Sequence, residues 1–250
     1  MVFHPYNKPL KQNITLIINK NAITEKDHVK YLGVIIDSTL TWKNHINNVS
    51  SKISKSIGLL YKIRHFVNIK IMKTLYHSLV YPHLLYAIEV WDSADDIYLN
   101  KLFTLHKRVV RLMTFSDKRQ NDFSFLPSDP LFSKMEIIKV HDVFKLMISK
   151  FIFKCLNNTN PVNFYNWYIL TSQLYTHNTR SKFYNIENCI PTRTLFIPIA
   201  RTSHYGLKLI KIQGSKIWNK LPPLMINNDS LNSFIKELKC FLINFYDTIT

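Results

Sequence analysis

The sequence predicts an α+β fold that is predominantly α-helical, with a small antiparallel sheet at its N-terminus. Three observations carry this. Runs rich in β-branched residues open the chain, "NITLIIN" and "VKYLGVIID". From His45 onward apolar residues recur at steps of three and four, the spacing of a helix face. Only 4 of the 250 residues are glycine, so few turns needing φ > 0 are available. That argues for helices joined by Asn-, Ser- and Pro-containing loops.

The elements follow in order. Between the two β-branched runs, "NKNAITEKDH" is polar and turn-like, so residues 1–37 hold two or three strands. Ile46, Val49, Ile53, Ile57 and Leu60 then form the apolar stripe of a first helix. Lys52, Lys55 and Lys62 lie off the stripe and Arg64 follows it, which makes the exposed side basic. A second helix turns Met72, Leu75, Tyr76, Leu79 and Val80 inward, with Pro82 at its end. A third runs from about Asp95 to Thr114 on Leu102, Leu105, Val109 and Leu112, flanked by Lys101, Lys107, Arg108 and Arg111. "FSFLPSDP" breaks the pattern with two prolines and marks a boundary. Ser133 and Glu136 have the spacing of a capping box and are expected to open a long helix through "KMEIIKVHDVFKLMISKFIFKCL". That helix is apolar on more than one side and should be central to its domain. "GLKLIKIQG" alternates apolar and basic residues, which predicts a half-buried strand with Lys208 and Lys211 on the wet face. Asp229 or Ser230 caps a last helix carrying Leu231, Phe234, Leu238, Phe241 and Phe245 on one face. The domain boundaries predicted are 1–41, 42–126 and 127–250.

Composition bounds the function. Lys plus Arg is 33 against 16 Asp plus Glu, a net charge of +17 spread along the chain. Such an excess calls for a polyanion, nucleic acid first and an anionic membrane surface second. The basic helices with interleaved Tyr61, Phe66 and Phe103 suit phosphate tracking and base stacking, or simply a solvated face over a packed one. Three widely spaced cysteines, Cys155, Cys189 and Cys240, form no CxxC and argue against a zinc knuckle. No apolar run reaches the roughly 18 residues of a membrane span. "MVFHPYNKPLKQN" lacks the apolar core of a signal peptide. The expected location is therefore intracellular, in cytoplasm or nucleus, with no membrane partner.

Two constellations invite a catalytic reading. Ala94-Asp95-Asp96 has the form of a polymerase metal-binding triplet. It opens a helical period, however, where aspartates cap free N–H groups and favour the helix dipole. Asp37 is the only candidate for a partner carboxylate on an apolar strand, and it ends its strand in a turn. "THNTRS" places His177 and Arg180 together, as a phosphate contact, a nuclease-like histidine, or an ordered loop. HExxH, GxSxG and Gly-rich phosphate loops are absent. No catalytic residue and no metal ligand is assigned.

"YLGVIIDSTLTWKNHI" resembles the segment closing the palm of non-LTR, jockey-like retrotransposon reverse transcriptases. "LLYKIRHFV", "TLYHSLVYPHLLYAIEVW" and "LHKRVVRLMTF" resemble the helical region after that palm. "HNTRS", "IQGSKIWNKLP" and "SLNSFIKELKCFL" resemble the C-terminal region. The resemblance implies a palm-edge remnant over 1–41, a helical thumb over 42–126 and a mixed C-terminal domain. It implies that Leu32, Gly33 and Val34 sit in the primer-grip neighbourhood. The charge pattern itself makes Lys52, Lys55, Lys62, Arg64, Lys107, Arg108 and Arg111, with Arg180 of the "THNTRS" stretch, the expected contacts to nucleic acid, whether RNA, RNA–DNA duplex or DNA, and the resemblance adds a thumb that would lay a basic helix along a template–primer duplex. In that family the catalytic Ala-Asp-Asp hairpin precedes the Leu-Gly-Val segment, so Asp95 and Asp96 do not inherit its role. "MVFHP" resembles an internal stretch, which makes Met1 an expected internal methionine. The expectation is a polymerase fragment, non-catalytic alone and without a cofactor, Mg²⁺ belonging to the full-length enzyme. Its alternatives are a co-opted nucleic-acid-binding or protein-interaction module and a nuclease using His177.

Overall fold

A computed structural model describes residues 1–5, 16–23, 25–116, 127–174, 193–202 and 205–246. The chain is α+β and mostly helical, and it divides into two compact units. The first comprises residues 1–87 and 94–118, the second 88–93 and 119–250.

The first unit opens with two separate hairpins. β1 (Leu16–Ile18) pairs antiparallel with β2 (Asn21–Ile23), and β3 (His28–Tyr31) with β4 (Val34–Asp37). "VKYLGVIID" is thus a hairpin and not the single strand expected, and the polar stretch before it supplies β2. Both turns are two residues long with φ > 0 at each: Asn19 and Lys20 at 50° and 65°, Leu32 and Gly33 at 44° and 82°. This backbone matches the right-handed twist of a tight hairpin, and it is why a glycine sits at the second turn. Asp37 then folds back on Thr41. Its Oδ1 and Oδ2 accept the Thr41 N–H at 2.7 and 3.2 Å, and the Thr41 hydroxyl donates to the same carboxylate.

Trp42, in the left-handed region at φ 61° and 5% exposed, starts α1 (Lys43–Ile63). All five residues of the expected stripe are buried, Ile46, Ile53 and Leu60 completely. Each contributes about 1.5–3 kcal/mol by leaving water. The Asn68 side chain accepts the Ile71 N–H and caps α2 (Ile69–Leu79). α3 (Tyr81–Leu85) takes Pro82 in its first turn, where a missing N–H costs nothing. After α4 (Ile88–Trp91), a piece of the second unit, α5 (Asp96–Met113) packs along α1. Leu99, Leu102, Val109, Val110, Leu112 and Met113 are buried there, and Leu105 is half-buried. A polar pair closes this core: the Tyr76 hydroxyl lies 2.9 Å from Nε2 of the wholly buried His106, ring stacked on ring.

In the second unit, Pro130 lies in the first turn of α6 (Asp129–Met135), and Glu136 at φ 52° ends it. The capping box is therefore not formed: Ser133 is interior to α6, and Glu136 is a left-handed C-cap. The long helix, α7 (Val140–Leu156), begins only after this break. Its apolar surround does make it central, since α4, α9 (Ile210–Trp218) and α11 (Leu231–Asn244) all pack on it. Between them lie a 3-10 turn (Val162–Phe164), α8 (Thr171–Leu174) and α10 (Pro223–Ile226).

α9 replaces the expected strand. The alternation of "GLKLIKIQG" is short, and the helical period of Ile212, Ser215 and Trp218, all buried, overrides it. Gly214 makes the packing possible, because a Cβ there would lie 2.7 Å from the Tyr168 hydroxyl and 3.1 Å from Ile148 and Ile152. The last helix turns Phe234, Leu238, Leu242 and Ile243 inward, so Phe245, expected on the buried face, is exposed. Ser230 stands at its N-cap without a side-chain cap bond. The Tyr246 hydroxyl donates to Asp142 Oδ2 at 2.6 Å and accepts the Lys139 N–H at 3.0 Å. Burial and the Asp142 carboxylate push the phenol far above its ordinary range, so it stays neutral.

Candidate nucleic-acid interface

The first unit concentrates the charge. It holds 17 of the 33 basic and 6 of the 16 acidic residues, +11 of the total +17. No acidic residue occurs from Ser38 to Ile88 or from Ile97 to Ser116. α1, α2 and α3 thus carry no carboxylate, and α5 only Asp96 at its N-terminus. This signal is plain in the sequence, yet a reading of total charge alone misses it.

On α1, Lys52, Lys55 and Lys62 are all exposed. At 100° per residue they fall within an arc of about 80°, with Lys55 and Lys62 opposite the apolar stripe. On α5, Arg108 is exposed and Lys107 and Arg111 are half-buried, on the side away from the core. The Lys107 ammonium stands 4.6 Å from the centre of the Phe103 ring, which orients the cation. Burial pushes the Arg111 guanidinium down from its ordinary value, but a guanidinium remains charged at neutral pH.

Arg64 is separate from these. It is 6% exposed, its guanidinium over the Tyr61 ring at 4.7 Å and beside Phe115 at 5.4 Å. Its Nε donates to His65 Nε2 at 3.2 Å. The structure spends this side chain on packing at the end of α1 and does not bring it onto the exposed lysine face. Phe66, by contrast, is 86% exposed. Arg180 and His177 lie outside the described residues.

Leu32, Gly33 and Val34 form the tip and first rung of the second hairpin. Leu32 is 73% exposed and Val34 is buried. The Tyr86 hydroxyl, just beyond α3, donates to the Leu32 carbonyl, and the Tyr86 ring lies 3.3 Å from where a Gly33 Cβ would stand. The Ile35 N–H donates to Nδ1 of His45 on α1 at 3.3 Å, a second tie between hairpin and helices. Burial, then the Lys52 ammonium, lower the pKa of His45 and of His83.

Asp95 is the N-cap residue of α5 and Asp96 its first residue, the place where the helix dipole favours an anion. Asp95 makes no side-chain cap bond. Among the described residues no group of three or more His, Cys, Asp or Glu side chains comes together. The described residues therefore offer no carboxylate cluster of the kind a two-metal polymerase centre uses. Among the described residues, no helix is long and apolar enough to cross a membrane.

Comparison with known proteins gives three relatives. The chain is 33% identical over 98 residues to the RNA-directed DNA polymerase from mobile element jockey of Drosophila funebris. It is 28% identical over 98 residues to the jockey polymerase of Drosophila melanogaster. It is 23% identical over 100 residues to the probable RNA-directed DNA polymerase from transposon X-element of Drosophila melanogaster. These matches cover 38 or 39% of this chain and 11% of each relative, so the chain spans only a small part of the relatives' length. No protein-family model matches the chain, and no solved structure matches it. Over 38 or 39% of its length, the chain is similar to the RNA-directed DNA polymerases from mobile element jockey and transposon X-element.

Proposed function

We propose that this chain is a nucleic-acid-binding portion of a retrotransposon RNA-directed DNA polymerase, non-catalytic by itself. The first unit acts as palm edge and thumb, laying its basic helices along a template–primer duplex. The single observation that carries this is the carboxylate-free stretch from Ser38 to Ile88, in which the exposed Lys55 and Lys62 stand opposite a buried apolar stripe with Lys52 beside them. A surface without acidic residues repels cations and attracts a polyanion along its whole length. The Leu32–Gly33 turn, held by Tyr86, serves as the primer-grip element. There the φ of +82° at Gly33 is a backbone conformation that glycine adopts without steric cost. The polymerase relatives support nucleic acid over a membrane as the polyanion.

The test is a salt titration of RNA–DNA duplex binding. Affinity should fall at least about tenfold between ~50 and ~200 mM salt, since each neutralised phosphate releases counterions. Replacing Lys52, Lys55 and Lys62 together by Glu should weaken binding while the melting temperature stays within about 2 °C of the parent, because exposed positions contribute little to stability. Salt-independent affinity, or a triple variant that binds like the parent, overturns the reading.

A further inference from the structure

We propose that the groove between α1 and α5 is a seat for one phosphodiester of a nucleic-acid backbone, an inference that rests on the nucleic-acid-binding reading and locates a contact within it. The groove encloses about 480 Å³ and is lined by Asn47, Ser50, Ser51 and Ser54 from α1 and Lys101, Thr104 and Leu105 from α5. The α1 residues stand at steps of three and four and so share one helix face, as do those of α5. No carboxylate is among them.

The Ser54 hydroxyl donates to the Ser50 carbonyl at 2.8 Å and the Thr104 hydroxyl to the Asn100 carbonyl at 2.9 Å, so both are spent. Lys101 Nζ donates to Asn47 Oδ1 at 2.8 Å. That bond holds the ammonium over the groove and leaves two of its protons. With Oδ1 occupied, Asn47 offers its NH₂ group. Ser50 supplies the independent observation. It is 4% exposed, lines the groove, and its hydroxyl has no hydrogen-bond partner. Buried hydroxyls are ordinarily paired, and an unpaired one is destabilising until a partner reaches it. An ammonium, an amide NH₂ and the Ser50 hydroxyl, where no acid competes, form a receptor for a singly charged, multi-acceptor oxyanion. A backbone phosphodiester has that chemistry, and this groove lies between two helices that also carry the exposed Lys52, Lys55, Lys62 and Arg108.

Fluorescence anisotropy of the 250-residue chain with a labelled RNA–DNA duplex tests this. Lys101→Gln should weaken binding several-fold and reduce the slope of log affinity against log salt by about one, the loss of one phosphate contact. Ser50→Ala removes the unpaired hydroxyl. It should melt no lower than the parent and still bind more weakly, a combination that a merely structural serine does not produce. A duplex carrying uncharged methylphosphonate linkages should bind the parent and Lys101→Gln equally. If the parent and the Lys52, Lys55 and Lys62 variant behave as proposed above while Lys101→Gln and Ser50→Ala bind duplex like the parent, the groove is not a phosphodiester seat. Lys101-dependent uptake of inorganic phosphate with duplex affinity unchanged in both variants overturns it as well. A parent that shows no salt-dependent binding removes the wider reading and this one with it.

Discussion

His45 illustrates what a single residue does in this fold. Its Nδ1 accepts the Ile35 N–H from β4, so the ring must be neutral with its proton on Nε2. Burial and Lys52 both disfavour the imidazolium, which lowers its pKa below the ordinary 6.5. The sign follows from linkage. Below 6.5 the unfolded chain binds a proton that the folded chain resists, so stability is fully present above 6.5 and is lost as pH falls toward the depressed folded value. Urea midpoints measured from pH 7.5 down to about 5 should decline, and His45→Gln should flatten that decline. A parent midpoint flat across this range would count against the tie between hairpin and helix. Arg64 makes a related point about legibility. It lies four residues beyond Leu60 and so continues the apolar stripe of α1. The stripe's own arithmetic places it inward, whereas its charge alone suggests a surface contact. The aromatic partners that make its burial tolerable, Tyr61 and Phe115, come from separate helix ends, and only folding joins them.

Among the elements, the long periodic helices were legible. Ile46, Val49, Ile53, Ile57 and Leu60 are all buried, because a 21-residue helix offers enough repeats for the period to dominate. Short segments were not. The alternation in "GLKLIKIQG" spans too few residues to outweigh the packing of Gly214 against Tyr168, Ile148 and Ile152. The hairpin within "VKYLGVIID" hides because its turn has only one glycine, Leu32 taking positive φ beside it. Asp37 joins strand and helix. Only 8% exposed and accepting from both the Thr41 N–H and hydroxyl, it fixes the chain's path from β4 into α1. Asp37→Ala should cost about 1–3 kcal/mol, since it leaves a part-buried donor unpaired. Thermal unfolding reads this as a lowered melting temperature, with Asp37→Asn retaining part of the loss. An unchanged melting temperature in Asp37→Ala would show that water replaces the bond without cost.

For the whole molecule, charge is unevenly divided, +11 on the first unit and +6 on the second. Reversing the exposed Lys216, Lys220 and Lys236 of the second unit should therefore cost less duplex affinity than reversing Lys52, Lys55 and Lys62. The same anisotropy titration compares them, and an equal or larger loss from the second unit would move the principal binding surface there. The sequence by itself determined the fold class, the helical stripes, the excess of positive charge and the partial similarity to jockey and X-element polymerases, because composition and period are local properties of the chain. Tertiary structure alone decided that Phe115 meets the Arg64 guanidinium, that residues 88–93 join the second unit, and that Asn47, Ser50 and Ser51 meet Lys101 across one groove. Such pairings link positions about fifty residues apart, and they are settled by how helices pack, which no local pattern encodes.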